Sequence, residues 1–293
     1  MASGKEDLPD IDDKTKAVLT KKGYELICKL GAGAFGQVYK AVNFKKDNEY
    51  FAVKVLDMNK MPEKIKTKFL PRELAALMEV KHPNAVRVFD IFRANYRIYI
   101  FMEYAGNGDL AGYVKKHKAL KEPLAAAWFV QTCEAINYMH TVVLMAHRDI
   151  KLDNILLDNG NNAKLTDFGF ATINDDQIEN DDMISRTFCG TLPYYCPQLV
   201  AKQPYNPFKA DVWAMGVVLY AMLCNRFPFH FQDLKVLHKQ QLSYPMFIRS
   251  RFLKTNSECS RSLMERLFDP SEKMRPLMSE VLKHPWLHIS KCK

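Results

Sequence analysis

Near Gly106 and Gly108 the chain changes its period. Upstream, from Tyr24, apolar residues alternate or are β-branched in YELICKL, QVYKAVNF, YFAVKVLDM, AVRVFDIF and RIYIFMEY. Successive side chains of a strand point to opposite faces, so this pattern predicts strands. One stretch of that half, PEKIKTKFLPRELAALMEV, reads as a helix. Downstream, DLAGYVKKHK and EPLAAAWFVQTCEAINYMHTV have helical spacing, the second with Pro123 in its first turn, where a missing N–H costs nothing. Segments 211–224, 231–240, 261–268 and 276–287 also read as helices. A β-rich part followed by a helical part predicts the α+β class. The expected arrangement is bilobal: a small β-rich N-lobe with one main helix at 24–102, a hinge at 103–108 and a larger, mostly helical C-lobe at 109–287. Residues 1–23 read as a frayed polar extension with a short helix near Lys14 to Lys22, and 288–293 as a short tail.

Composition supports a packed core. With 293 residues, 48% of them apolar, and only 12 Gly and 14 Pro, the chain is neither disordered nor collagen-like. Its seven cysteines form no CxxC pair and suggest reduced thiols in an intracellular protein, cytoplasmic or nuclear. The N-terminus lacks the apolar stretch of a signal peptide, and the longest apolar run, Val212 to Cys224, is 13 residues, better suited to a buried helix than to a bilayer. The formal charge is +9, but 42 basic residues are interspersed with 33 acids. Neither a nucleic-acid patch nor a membrane contact is expected, and the surplus suits a ligand rich in phosphate.

Gly31, Gly33 and Gly36 in LGAGAFGQVYKA form a GxGxxGxV pattern. Dinucleotide-binding folds use similar glycines between a strand and a helix, whereas here they lie between two strand-like runs, as in a hairpin laid over phosphates. Lys54 lies among apolar strand neighbours, where an ammonium needs an anionic partner, and Glu73 on the following helix could supply it. The octet HRDIKLDN, 147–154, holds a base in Asp149, a phosphate-charge stabiliser in Lys151 and an oxygen ligand for a hard cation in Asn154. Asp167 in LTDFGFA adds a second such oxygen donor.

These motifs, in this order, resemble the eukaryotic protein kinases from about Tyr24 to Leu287. Lys151 and GTLPYY resemble the serine/threonine class, and VLTKKGYELICKLGAGAFG, KFLPREL, SRTFCG and QPYNPFKADVWAMGVVLYAMLCNRFPF resemble the testis-specific serine/threonine kinases of the calmodulin-dependent kinase group. The resemblance implies ATP and Mg²⁺ as cofactors, with Asn154 and Asp167 on the metal and Asp149 as base for a Ser/Thr hydroxyl of a protein substrate. It implies Leu30, Val38, Ala52 and Leu156 around adenine, Met102 as gatekeeper, Glu103 and Ala105 bonding adenine through their backbone, and Asp109 near the ribose. It also implies Leu77, Val88, His147 and Phe168 as a regulatory hydrophobic column. Asp109 and Asp153 would meet an upstream substrate arginine, and Phe188, Leu192 and Tyr195 the residue after the phosphoacceptor. Thr187 would be a regulatory phosphosite paired with Arg148.

Two residues depart from the family pattern. Gln198 stands where a glutamate usually pairs with a buried arginine, here Arg275, and predicts a softer C-lobe rather than an inactive enzyme. Thr172 replaces a second basic contact for the Thr187 phosphate, so control through Thr187 is expected to be incomplete. The five acids Asp175, Asp176, Glu179, Asp181 and Asp182 read either as a solvated insert or as carboxylates that compete with that phosphate for Arg148 or discourage acidic substrates from docking beside the active site. Rival readings are a weakly active pseudokinase scaffold that binds nucleotide and, more distantly, a nucleotide-dependent oxidoreductase. A monomer is expected, a role in spermatogenesis follows by resemblance, and, since the chain stops soon after HPWL, regulation is expected from the activation loop, the N-terminal extension, an upstream kinase or a chaperone.

Overall fold

The computed structural model describes residues 13–32, 36–61, 63, 66, 70–168, 172–173, 184–244 and 256–291. Its contacts divide the chain into two compact units, one of residues 1–81 and 86–106 and one of 82–85 and 107–293.

The first unit is built on a five-stranded antiparallel sheet of β1 (Tyr24–Ala32), β2 (Gly36–Asn43), β3 (Glu49–Asp57), β4 (Val88–Ala94) and β5 (Arg97–Glu103), in the order β1-β2-β3-β5-β4. Alternation sorts its side chains into two clusters. Tyr24, Tyr39, Phe51, Val53, Tyr99 and Phe101 fill one face together with Leu19. Ile98, Ile100, Leu56 and Val88 fill the other, against Leu70 and Leu74 of helix α2 (Leu70–Glu79). Leu19 belongs to helix α1 (Asp13–Lys22) and is 3% exposed. The expected fraying therefore does not hold for residues 13–22: Leu19 buries apolar surface on the aromatic face, and Lys22 pairs with Asp90 and lies over Phe92.

Strand β4 starts at Val88, three residues later than its apolar run suggests. Ala85 instead bridges Leu165, the Asn84 amide donates to the Ala163 carbonyl at 3.0 Å and Leu165 N–H donates to the Asn84 carbonyl at 2.8 Å, so 82–85 pack with the second unit.

The second unit is helical: α3 (Leu110–His117), α4 (Glu122–Tyr138), α5 (Pro197–Val200), α6 (Pro207–Cys224), α7 (Leu234–Leu242), α8 (Glu258–Leu267) and α9 (Met278–Val281). Helix α6 begins earlier than its apolar run, because Asn206 caps it through Phe208 and Lys209 N–H and Pro207 fits its first turn. By length and composition it could cross a bilayer, but almost all of it is buried as the core of this unit. The helix expected at 276–287 is shorter, since Pro285 begins a separate 3-10 turn through Lys291. Two small ribbons, β6 (Met145–Ala146) with β9 (Thr172–Ile173) and β7 (Ile155–Leu157) with β8 (Ala163–Leu165), are too short for periodicity to reveal.

Glu122 fastens three distant parts of this unit. Its carboxylate accepts from Ser257 N–H (2.6 Å), Ser257 Oγ (2.7 Å), Ser260 Oγ (2.9 Å) and Trp286 Nε1 (2.8 Å). Burial would raise its pKa, but these donors outweigh it and hold the carboxyl below its ordinary 4.5. A depressed carboxylate stabilises the fold above the unfolded-state pKa and loses that contribution as pH falls through the folded value. Glu122→Gln is therefore expected to flatten the fall of unfolding free energy below pH 4.5, read by urea titration at several pH values.

Candidate active site

In the first unit, β3 puts Lys54 opposite Val38 and Ile100, and Ala52 opposite Met102. Directly paired residues of an antiparallel sheet share a face. Val38, Ala52, Lys54 and Met102 thus line the face of Ile98 and Ile100, away from the aromatic cluster. Gly31 pairs with Val38, and Leu30 beside it is exposed. A Cβ at Gly36 would lie 2.2 Å from the Val55 carbonyl oxygen, so only glycine allows that approach. Glu103 donates its N–H to the Arg87 carbonyl at 2.9 Å, and Ala105 is half-buried. Leu77 packs on the cluster that contains Val88. Gly33, the Glu73 side chain and therefore the expected Lys54–Glu73 pair lie outside the described residues, as do the Thr172 side chain and the five acids of 175–182.

In the second unit the HRDIKLDN loop closes around Asp149, whose side chain is buried. Lys151 Nζ donates to Asp149 Oδ2 at 2.6 Å, and Asn154 Nδ2 donates to the Asp149 carbonyl at 2.8 Å and to Oδ2 at 3.1 Å. Thr191 Oγ donates to Asp149 Oδ1 at 2.7 Å and accepts from Lys151 at 3.1 Å. Charge-assisted bonds of this kind fix the carboxylate's orientation. Asn154 is held by its nitrogen, which leaves the amide oxygen as the donor that a hard cation prefers, and Asp167, with φ 61°, adds a carboxylate of the same class. The residues thus fit Mg²⁺ by donor chemistry.

The loop is anchored from below. Asp211 on α6 accepts from His147 N–H (2.8 Å), Arg148 N–H (2.9 Å) and His140 Nε2 (2.9 Å). Asp149 N–H donates to His147 Nδ1 at 3.2 Å, which makes the other ring nitrogen the donor to the Thr166 carbonyl at 3.0 Å. The His147 and Phe168 rings meet at 5.4 Å. Leu152 N–H donates to the Tyr194 hydroxyl at 3.3 Å, and burial pushes that hydroxyl's pKa up. Asp109 caps α3 through Gly112 N–H at 2.7 Å and bridges Leu156, and Asp153 is exposed. Thr187 and Phe188 are exposed, while Leu192 and Tyr195 are half-buried.

Thr191 and Asp211 received no role from the sequence. Thr191 lay inside a string read only as a class signature, and the detectable signal for Asp211 was a single carboxylate before the apolar run of α6.

Arg275 is fully buried. It donates to the carbonyls of Asp269 (3.0 Å) and Lys209 (2.9 Å) and to Gln198 Oε1 (3.3 Å), and stacks over Trp213. Gln198 Nε2 also donates to the Pro270 carbonyl at 2.8 Å. Burial pulls the arginine's pKa down. A carboxylate at 198 would oppose that effect at the expense of the bond to Pro270, so Gln198→Glu is expected to raise the melting temperature by about 2 to 4 °C, as about 1 kcal/mol does in a domain this large. Scanning calorimetry reads it, and an unchanged or lower value would mean that the carbonyls and Trp213 already satisfy the guanidinium.

Comparison with known proteins agrees with this geometry. Residues 24–287 match the family model for the protein kinase domain. Testis-specific serine/threonine-protein kinase 3 of Mus musculus is 39% identical over 273 residues, covering 92% of this chain and 97% of the relative. Testis-specific serine/threonine-protein kinase 2 of Mus musculus is 37% identical over 280 residues, covering 94% and 76%. CBL-interacting protein kinase 31 of Oryza sativa subsp. japonica is 34% identical over 263 residues, covering 90% and 57%. A β-sheet unit, a helical unit and an oriented aspartate, lysine and threonine in one loop cluster agree with the match: the chain belongs to the protein kinase family, as a serine/threonine kinase.

Proposed function

We propose that the chain is catalytically active, transferring the γ-phosphoryl group of ATP to Ser or Thr hydroxyls of protein substrates, and that it works in male germ cells. The observation that carries the activity is the Asp149 carboxylate, oriented by Lys151, Asn154 and Thr191. In this reading Asp149 orients the substrate hydroxyl and accepts its proton, Lys151 balances charge on the migrating phosphoryl group, and Thr191 keeps Asp149 in register. Lys54 and the backbone of the glycine loop hold the nucleotide phosphates. Mg²⁺, held by Asn154 and Asp167, would neutralise charge between the phosphates. Most of the catalysis is then positioning and charge stabilisation. A scaffold that only binds nucleotide would not need this constellation.

Asp109 and Asp153 supply the charge for a substrate with basic residues upstream, and Phe188, Leu192 and Tyr195 the apolar surface for the residue after the phosphoacceptor. The germ-cell role rests on the names of the relatives. Radiolabelled transfer from ATP to a degenerate peptide library tests the activity and the specificity: transfer with selection for basic upstream positions supports the reading, and selection for acidic or proline-directed sites sinks the specificity. Thr187→Ala is expected to keep basal transfer but to lose the rise in rate that an upstream kinase confers, because a phosphate there adds roughly −1.5 to −2 charges opposite Arg148. Full activatability of Thr187→Ala in the same assay would reject control through this residue.

A further inference from the structure

The segment that carries Thr187 is held at its far end by bonds that need no phosphate. Ser185 and Tyr205 form an isolated antiparallel bridge, with Ser185 N–H donating to the Tyr205 carbonyl at 2.7 Å and Tyr205 N–H to the Ser185 carbonyl at 3.1 Å. The Tyr205 hydroxyl donates to the Thr187 carbonyl at 3.0 Å, and Thr187 N–H donates to Ser185 Oγ at 3.3 Å. Tyr205 is 1% exposed, and its ring lies 6.4 Å from that of Phe188. It also lines a small cavity with Arg148, Asp149, Thr191 and Asp211. Three residues beyond Thr187, Gly190 takes φ 104°, and a Cβ there would lie 2.6 Å from the Arg148 carbonyl oxygen. Residues 185–191 are therefore tied at one end to Tyr205 and pressed at the other against the loop that carries Asp149, while the Thr187 side chain stays outside.

We infer that Tyr205 is a positioning residue that stands in for the phosphate: it orders 185–189, and with them the surface for the substrate residue after the phosphoacceptor, while Thr187 is unmodified. Burial pushes its hydroxyl pKa up, with the Cys189 thiol adding to the effect, so the group remains a donor at neutral pH. A buried ring is already ordered, so the bond to the Thr187 carbonyl costs little further side-chain freedom.

This inference rests on the kinase reading for its kinetic arm but not for its structural one. In protein carrying Thr187→Ala, the further change Tyr205→Phe keeps the ring and removes one donor. Amide exchange at 185–189 is expected to quicken about fivefold, as the loss of one hydrogen bond implies, with the rest of the second unit unchanged. The KM for a peptide substrate is expected to rise by about the same factor, while kcat and the KM for ATP hold. With phosphothreonine installed at 187 in otherwise unaltered protein, Tyr205→Phe is expected to change the peptide KM less than twofold. Unchanged exchange overturns the inference, as does an equal KM effect with and without phosphate, which would make Tyr205 a packing residue only. If Tyr205→Phe fails to fold, Ser185→Pro, which removes one of the two N–H donors of the bridge, must quicken the same amides or the inference falls. Should the unaltered protein transfer no phosphate, the kinase reading falls and the exchange arm alone decides the role of Tyr205.

Discussion

In Asp149→Asn protein, phosphoryl transfer to peptide is expected to fall by about 10²- to 10⁴-fold in kcat, the usual contribution of a positioned general base, with the KM for ATP little changed. The amide is isosteric but can present only one acceptor oxygen, whereas Asp149 now accepts from Thr191 on one oxygen and from Lys151 and Asn154 on the other. An NH₂ group in place of Oδ2 would face two donors, so the asparagine is expected to turn its nitrogen toward Thr191, whose hydroxyl can accept instead, and to lose the bond by which Thr191 now fixes the carboxylate. Single-turnover measurement separates this from a binding defect. Equal incorporation by the two proteins would point to a contaminating kinase and revive the nucleotide-binding scaffold.

The largest loss of stability is expected from Asp211→Ala. It removes the acceptor of two backbone N–H groups and of the His140 ring, all in the region where His147 is completely buried. Leaving buried donors without an acceptor typically costs about 3 to 5 kcal/mol when one side of a buried pair is lost, which lowers the melting temperature by roughly 10 °C in a domain of this size. Activity per folded molecule should fall as well, since the loop that carries Asp149 loses its floor. Asp211→Asn keeps one acceptor and should lie between the two. A melting temperature within about 2 °C of the parent would mean that water replaces the carboxylate and that the loop holds its own shape.

How legible these features were depended on how local their signals are. The strands of the sheet and the helices α3, α4 and α6 each impose a period on their own residues, so YFAVKVLDM and VWAMGVVLYAMLC were readable in isolation. HRDIKLDN was readable because its chemistry is packed into eight positions. Thr191, 42 positions from Asp149, and Asp211, 63 positions from Arg148, were not, since only the fold brings such groups together. The two-residue ribbons carry too few side chains to show a period, and the start of β4 was misplaced because Ala85 looks like a strand residue but is claimed by Leu165. Leu19 was hidden for another reason: half of the helix around it is charged, and the single buried apolar residue that provides its anchorage sets no period.

That anchorage bears on how the protein should be cut for expression. The matched family region begins at Tyr24, and a clone trimmed to that residue would discard α1. The aromatic face of the sheet would lose its lid, leaving wet the surface near Tyr24, Phe92 and Phe101, the kind of uncovered apolar patch through which copies of a chain associate. A recombinant boundary placed upstream of Asp13 keeps that surface dry.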